Sequence, residues 1–87
     1  MVIRVLVAED MQILRDTLVA VLKLEDDIDV VAEVTNGDAI VPAAVGKRAD
    51  VAVVDIDLPG TDGLTAAAQL RDQFPQCKVL ILSLIHI

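Results

Sequence analysis

Residues 51–63 read Val51-Ala52-Val53-Val54-Asp55-Ile56-Asp57-Leu58-Pro59-Gly60-Thr61-Asp62-Gly63, an apolar run that ends on an acid and passes into a turn. Its opening apolar run, rich in β-branched residues, suits a strand covered on both faces, as strands of parallel sheets are. The run closes on Asp55, and the residues after it are dense in turn formers. Upstream, Asp38 to about Lys47 reads as a helix that Asp38 can cap, with Pro42 tolerated in its first turn and Gly46 weakening its end. The turn pair Asn36-Gly37 separates that helix from a second β-branched run, Ile28 to Val34.

Further upstream, Met11 to Leu24 carries Ile13, Leu14, Leu18, Val21 and Leu22 at helical spacing, and the acids Glu25, Asp26 and Asp27 end it as a solvated helix terminus. Val2 to Ala8, interrupted only by Arg4, reads as the first strand. Downstream, Leu64, Ala67, Ala68, Leu70 and Phe74 mark a third helix that Pro75 stops, and Lys78 to Leu82 is a fourth strand. Strands alternating with helices predict an α/β fold, a doubly wound parallel sheet with right-handed crossovers. The pattern has four strands and three helices and stops directly after a strand, so it reads as cut off. It contains no repeat and no linker.

Composition narrows the function. The chain has 87 residues, with 14 acidic and 7 basic side chains and a net charge of −7. Such a surface repels phosphate backbones, so any DNA contact requires another domain. One Phe and no Trp or Tyr leave no platform for stacking bases or sugars. The lone Cys77 cannot form an internal disulfide and reads as an inert thiol in a loop; with no signal-peptide pattern at Met1, a cytoplasmic setting is expected. The C-terminal apolar run, residues 79–87, is far shorter than the roughly 20 residues that span a bilayer.

The acids carry the chemistry. In an open parallel sheet, functional groups gather beyond the carboxyl ends of the strands, where strand order reverses. Glu9 and Asp10 leave the first strand there, and Asp55 and Asp57 leave the third. Neighbouring placement of those strands would crowd like charges, and a hard divalent cation such as Mg2+ relieves that repulsion. An aspartate beside such an ion can act as a nucleophile towards a phosphoryl group, giving an aspartyl phosphate. No Walker loop, G-x-G-x-x-G or HExxH is present, and His86 has no triad partner.

Together, Glu9-Asp10 after the first strand and Asp55 through Gly63 after the third resemble the receiver domains of two-component response regulators, from Ile3 to Ile81. They look most like receivers that precede a LuxR-type helix-turn-helix output domain. The resemblance implies the flavodoxin-like strand order 2-1-3-4-5, with Asp55 accepting phosphate from a sensor histidine kinase. It implies direct Mg2+ ligation by Asp10 and Asp55, Glu9 acting through water, and Asp57 offering its backbone carbonyl. Pro59, Gly60 and Gly63 would shape the loop, and Ser83 falls where the family places a phosphate-sensing hydroxyl. Phosphorylation would then drive an output domain that binds DNA, or a homodimer, with no membrane involved.

The family's fifth strand, its last helices and the lysine before that strand have no counterpart in this sequence, and neither Lys47 nor Lys78 matches the lysine's position. The expectation is a truncated receiver over residues 1–81 whose fourth strand is an apolar, aggregation-prone edge. Residues 82–87, LSLIHI, read back as CTG TCT CTT ATA CAC ATC, a transposase adaptor of sequencing libraries, which would leave His86 without a role.

Simpler readings stand beside these. Asp10 could cap the first helix, Met11 could pack near the site or lie exposed, Asp57 could be turn chemistry, and Asp62 reads as a cap rather than a ligand. Asp55-Ile56-Asp57 also fits the nucleophile motif of haloacid-dehalogenase-type phosphatases, although that motif follows the first strand rather than the third. A non-phosphorylated pseudo-receiver serving as an interaction module is the remaining alternative.

Overall fold

The computed structural model describes residues 1–83. The strands are β1 (Ile3–Ala8), β2 (Ile28–Val34), β3 (Val51–Asp55) and β4 (Lys78–Leu82), and the helices are α1 (Gln12–Leu22), α2 (Ile40–Lys47) and α3 (Gly63–Gln73). A 3-10 turn over Gly37–Ala39 leads into α2. The sheet is parallel throughout, in the order β2-β1-β3-β4, with β1 and β3 adjacent. The chain steps from β1 to β2 in one direction and from β3 to β4 in the other, so the acid-bearing ends of β1 and β3 flank the point where strand order reverses.

Each face of the sheet has its own core. Leu6, Ala8, Ala52 and Val54 pack against Ile40 and Ala44 of α2 and Ala66 and Leu70 of α3. Val5, Val7 and Val53 face the other way, towards Val19, Leu18 and Leu22 of α1. The alternation along β1 and β3 explains why both runs are apolar on both faces apart from Arg4 and the terminal Asp55: successive residues meet helix on one face or the other. With α1 on one face and α2 and α3 on the other, the three crossovers share one hand.

Several local expectations change. Asp38 does not cap the second helix; the Asn36 side chain accepts the Ala39 N–H at 3.0 Å, three residues on, and Asp38 turns to Thr61 instead. Ile13 and Val21 were expected on the buried stripe of α1 but are exposed, because Leu18 and Leu22 share the sheet-facing side with Val19, while Leu14 is half-buried. Leu64 is likewise exposed, and the buried face of α3 runs through Gly63, Ala66 and Leu70. Cys77 lies in the loop between α3 and β4, as expected, and is buried there. Its thiol is pushed up, first by burial and then by the Asp50 charge.

Among the described residues β4 is an edge strand, with Leu80 57% exposed. Leu82 completes β4 and Ser83 follows it, whereas residues 84–87, including His86, lie outside the described residues. No described helix is long and apolar enough to cross a membrane.

Candidate functional site

Glu9 and Asp10 stand at the exit of β1, and Asp55 is the last residue of β3, one strand away. One carboxylate oxygen from each lies within 4.8 Å of the other two, the only such cluster among the described residues. Glu9 and Asp55 are buried, at 1% and 6% exposure, and Asp10 is exposed, so the cluster opens to solvent on one side.

Two backbone amides fix its orientation. The Met11 N–H donates to Glu9 Oε1 at 3.2 Å, and the Asp57 N–H donates to Asp55 Oδ1 at 3.2 Å. Met11, which is exposed, is the N-cap residue of α1 and provides no side-chain cap, so Glu9 rather than Asp10 serves that end of the chain. Glu9 Oε2 is buried and has no hydrogen-bond partner among the described residues. Leaving a buried carboxylate oxygen unpaired is costly, and the Glu9 carboxyl is accordingly pushed up from 4.5 to about 7, first by burial and then by the Asp55 carboxyl beside it. Such a hard-oxygen set, with one buried oxygen unsatisfied, fits a divalent cation of the Mg2+ type.

The loop after β3 closes at its base through a Gly63 N–H bond to the Ile56 carbonyl at 3.1 Å. Gly60 takes a positive φ of 74°, the left-handed region that favours glycine. The Asp57 side chain is exposed. Asp62 caps α3 through Thr65, as the sequence suggested. Ser83 lies at the same end of the sheet, directly after Leu82, the register partner of Asp55.

A family model described as the response regulator receiver domain matches residues 5–86. The chain belongs to the response regulator receiver family. This receiver is 41% identical over 81 residues to the transcriptional regulatory protein DesR of Bacillus subtilis, covering 93% of this chain and 40% of that protein. Its fold matches the signal receiver domain of the response regulator NarL from Mycobacterium tuberculosis at a TM-score of 0.91 and 31% identity, covering 99% of this chain and 69% of that one. It also matches the response regulator domain of Thermotoga maritima CheB at a TM-score of 0.90 and 30% identity, covering 95% and 61%. The chain thus spans well under half the length of its curated relative DesR. A haloacid-dehalogenase reading is not favoured, since the Asp-x-Asp pair follows β3 and the receiver model spans nearly all of the chain.

The receiver also contains site contacts that its sequence did not announce. Arg15 donates from Nη1 to the Glu9 carbonyl at 2.9 Å while its Nε lies 3.8 Å from Glu33, so α1 pins the exit of β1. A basic residue six positions after Glu9 was the available signal. The Asp38–Thr61 hydrogen bond joins two loops 23 residues apart, and nothing local foretells it.

Proposed function

We propose that this receiver accepts a phosphoryl group on Asp55 from the phosphohistidine of a sensor kinase, in a Mg2+-dependent transfer. The observation that carries this is the cluster of Glu9, Asp10 and Asp55, with Glu9 Oε2 buried and unpaired. Asp10 and Asp55 would hold the ion directly and Glu9 through water, with the Asp57 backbone carbonyl as a further ligand. The ion supplies charge neutralisation at the transferring oxygens. With Asp55 Oδ1 held by the Asp57 N–H, the second carboxylate oxygen is the nucleophile. It forms the new bond to phosphorus as the bond from phosphorus to the histidine nitrogen breaks, and that nitrogen keeps the electron pair.

The product carries about −1.5 to −2 charges, and the Ser83 hydroxyl would donate to a phosphoryl oxygen from the end of β4. The resulting shift of a two-state surface would control a transcriptional output domain or a homodimer in the cytoplasm. Residues 1–81 form the receiver unit in this reading. DNA contact belongs to the output domain, because this chain carries a charge of −7. The receiver itself is not a turnover enzyme.

Incubation with acetyl phosphate and Mg2+ should add one phosphoryl mass to the native chain and to Asp57→Asn, and none to Asp55→Asn. Equal gain in Asp55→Asn overturns the assignment. Steady hydrolysis of a phosphate ester, lost in Asp57→Asn, would instead support a phosphatase.

A further inference from the structure

The loop that follows Asp55 is held at its tip as well as at its base. The Thr61 hydroxyl donates to Asp38 Oδ1 in the turn after β2, and the Gly37 N–H donates to the Pro59 carbonyl at 3.1 Å. The two turns interlock closely. A Cβ on Gly37 would overlap the Thr61 carbonyl, and a Cβ on Gly60 would stand 2.6 Å from Asp38 Oδ2. At its base the same loop places the Asp57 N–H on Asp55 Oδ1 at 3.2 Å. The segment between Asp57 and Thr61 is therefore fastened at both ends, once to the phosphoacceptor and once to a different crossover.

We infer that Asp38 and Thr61 are a positioning pair: their hydrogen bond latches the β3–α3 loop onto the β2–α2 turn and holds the Asp57 backbone in place for the cation site. The inference rests on the metal-site reading above. A loop already fixed in its binding geometry loses little freedom when the ion arrives, whereas an unlatched loop must be ordered by the ion itself. Among the described residues neither side chain hydrogen-bonds to the three clustered carboxylates; each acts through the peptide backbone. The bond is charge-assisted, the stronger class of hydrogen bond, so its loss should be felt even at a half-exposed position.

The test is a Mg2+ titration of the chain followed by amide chemical shifts, paired with phosphorylation by acetyl phosphate across Mg2+ concentrations. Thr61→Val keeps the side-chain shape and removes the donor; Asp38→Ala removes the acceptor at an exposed site. Each should weaken Mg2+ binding by about tenfold, the smaller end of what a lost charge-assisted bond produces. The Mg2+ needed for half-maximal phosphorylation should rise in step, while the rate at saturating Mg2+ is retained. Thr61→Ser should restore native binding, and the double variant should be no weaker than either single one.

Unchanged Mg2+ affinity in both single variants overturns the latch, as does a Thr61→Ser protein as impaired as Thr61→Val. A fall in the saturating rate with no change in Mg2+ requirement also overturns it. If the native chain binds no Mg2+, the metal-site reading itself fails and the latch falls with it. A native chain that binds Mg2+ alongside unaffected variants removes the latch alone.

Discussion

Glu9 should make the metal-free protein less stable as pH rises, and replacing it should reverse that. Its carboxyl titrates at about 7 in the fold against an ordinary 4.5. That difference corresponds to about 3 kcal/mol in the cost of ionisation. Below pH 4.5 the group is protonated in both folded and unfolded chains and contributes nothing. Between 4.5 and about 7 the folded chain keeps a proton that the unfolded chain has released, so stability falls as pH rises. Above that window the whole cost is present.

Glu9→Gln preserves the shape of the protonated acid. In EDTA it should match the native protein near pH 4.5 and exceed it by about 3 kcal/mol at pH 8. With a urea slope of about 1 to 1.5 kcal/mol per molar, the midpoint should move by about 2 to 3 M at pH 8. Far-UV circular dichroism is the suitable probe, since the chain has no Trp or Tyr. Saturating Mg2+ should narrow the gap by stabilising the native protein more than the variant, which keeps Asp10 and Asp55 but lacks the Glu9 charge. Urea midpoints that stay parallel from pH 4.5 to 8, or a native stability that rises more steeply than the variant's, would show that Glu9 carries no such ionisation cost.

Other residues give sharp outcomes as well. Asp62 is held below the usual carboxylate range by the Thr65 backbone and hydroxyl. Asp62→Ala should therefore lower the thermal midpoint by a few degrees at pH 7, an effect that fades as the pH falls below the ordinary 3.8 and the native carboxylate is protonated. Cys77, buried with a raised thiol pKa, should resist a thiol reagent in the fold and react at once in denaturant; fast reaction of the native protein contradicts the packing of α3 on β4. The Leu80 side chain stands exposed on the edge strand, so Leu80→Lys should reduce self-association of the 87-residue chain in sedimentation, and unchanged association would place the contact elsewhere.

The strands were legible because both faces of this sheet are covered, which makes β1, apart from Arg4, and β3, up to Asp55, continuously apolar instead of alternating. The meeting of Glu9, Asp10 and Asp55 followed from the alternation of elements, since a parallel sheet presents its strand ends together. Helix faces were less legible. Ile13 and Val21 fit the apolar period of α1 as well as Leu14 and Leu18 do, and only the packing shows which side meets the sheet. Asp38 and Asn36 are both good caps, and what decided between them was Thr61, which claims Asp38 from the far side of a crossover. The unpaired oxygen of Glu9 is likewise a property of burial, which no spacing of acids reveals.

Asp55, within an acidic divalent-ion site, is the proposed phosphoacceptor. Borohydride reduction after treatment with acetyl phosphate, followed by peptide sequencing, tests it most directly, because the acyl phosphate is converted to homoserine where it formed. Homoserine is expected at position 55 alone, formed with Mg2+ and absent with EDTA. Reduction at Asp10 or Asp57 instead, or a modification at Asp55 that is indifferent to EDTA, would contradict it.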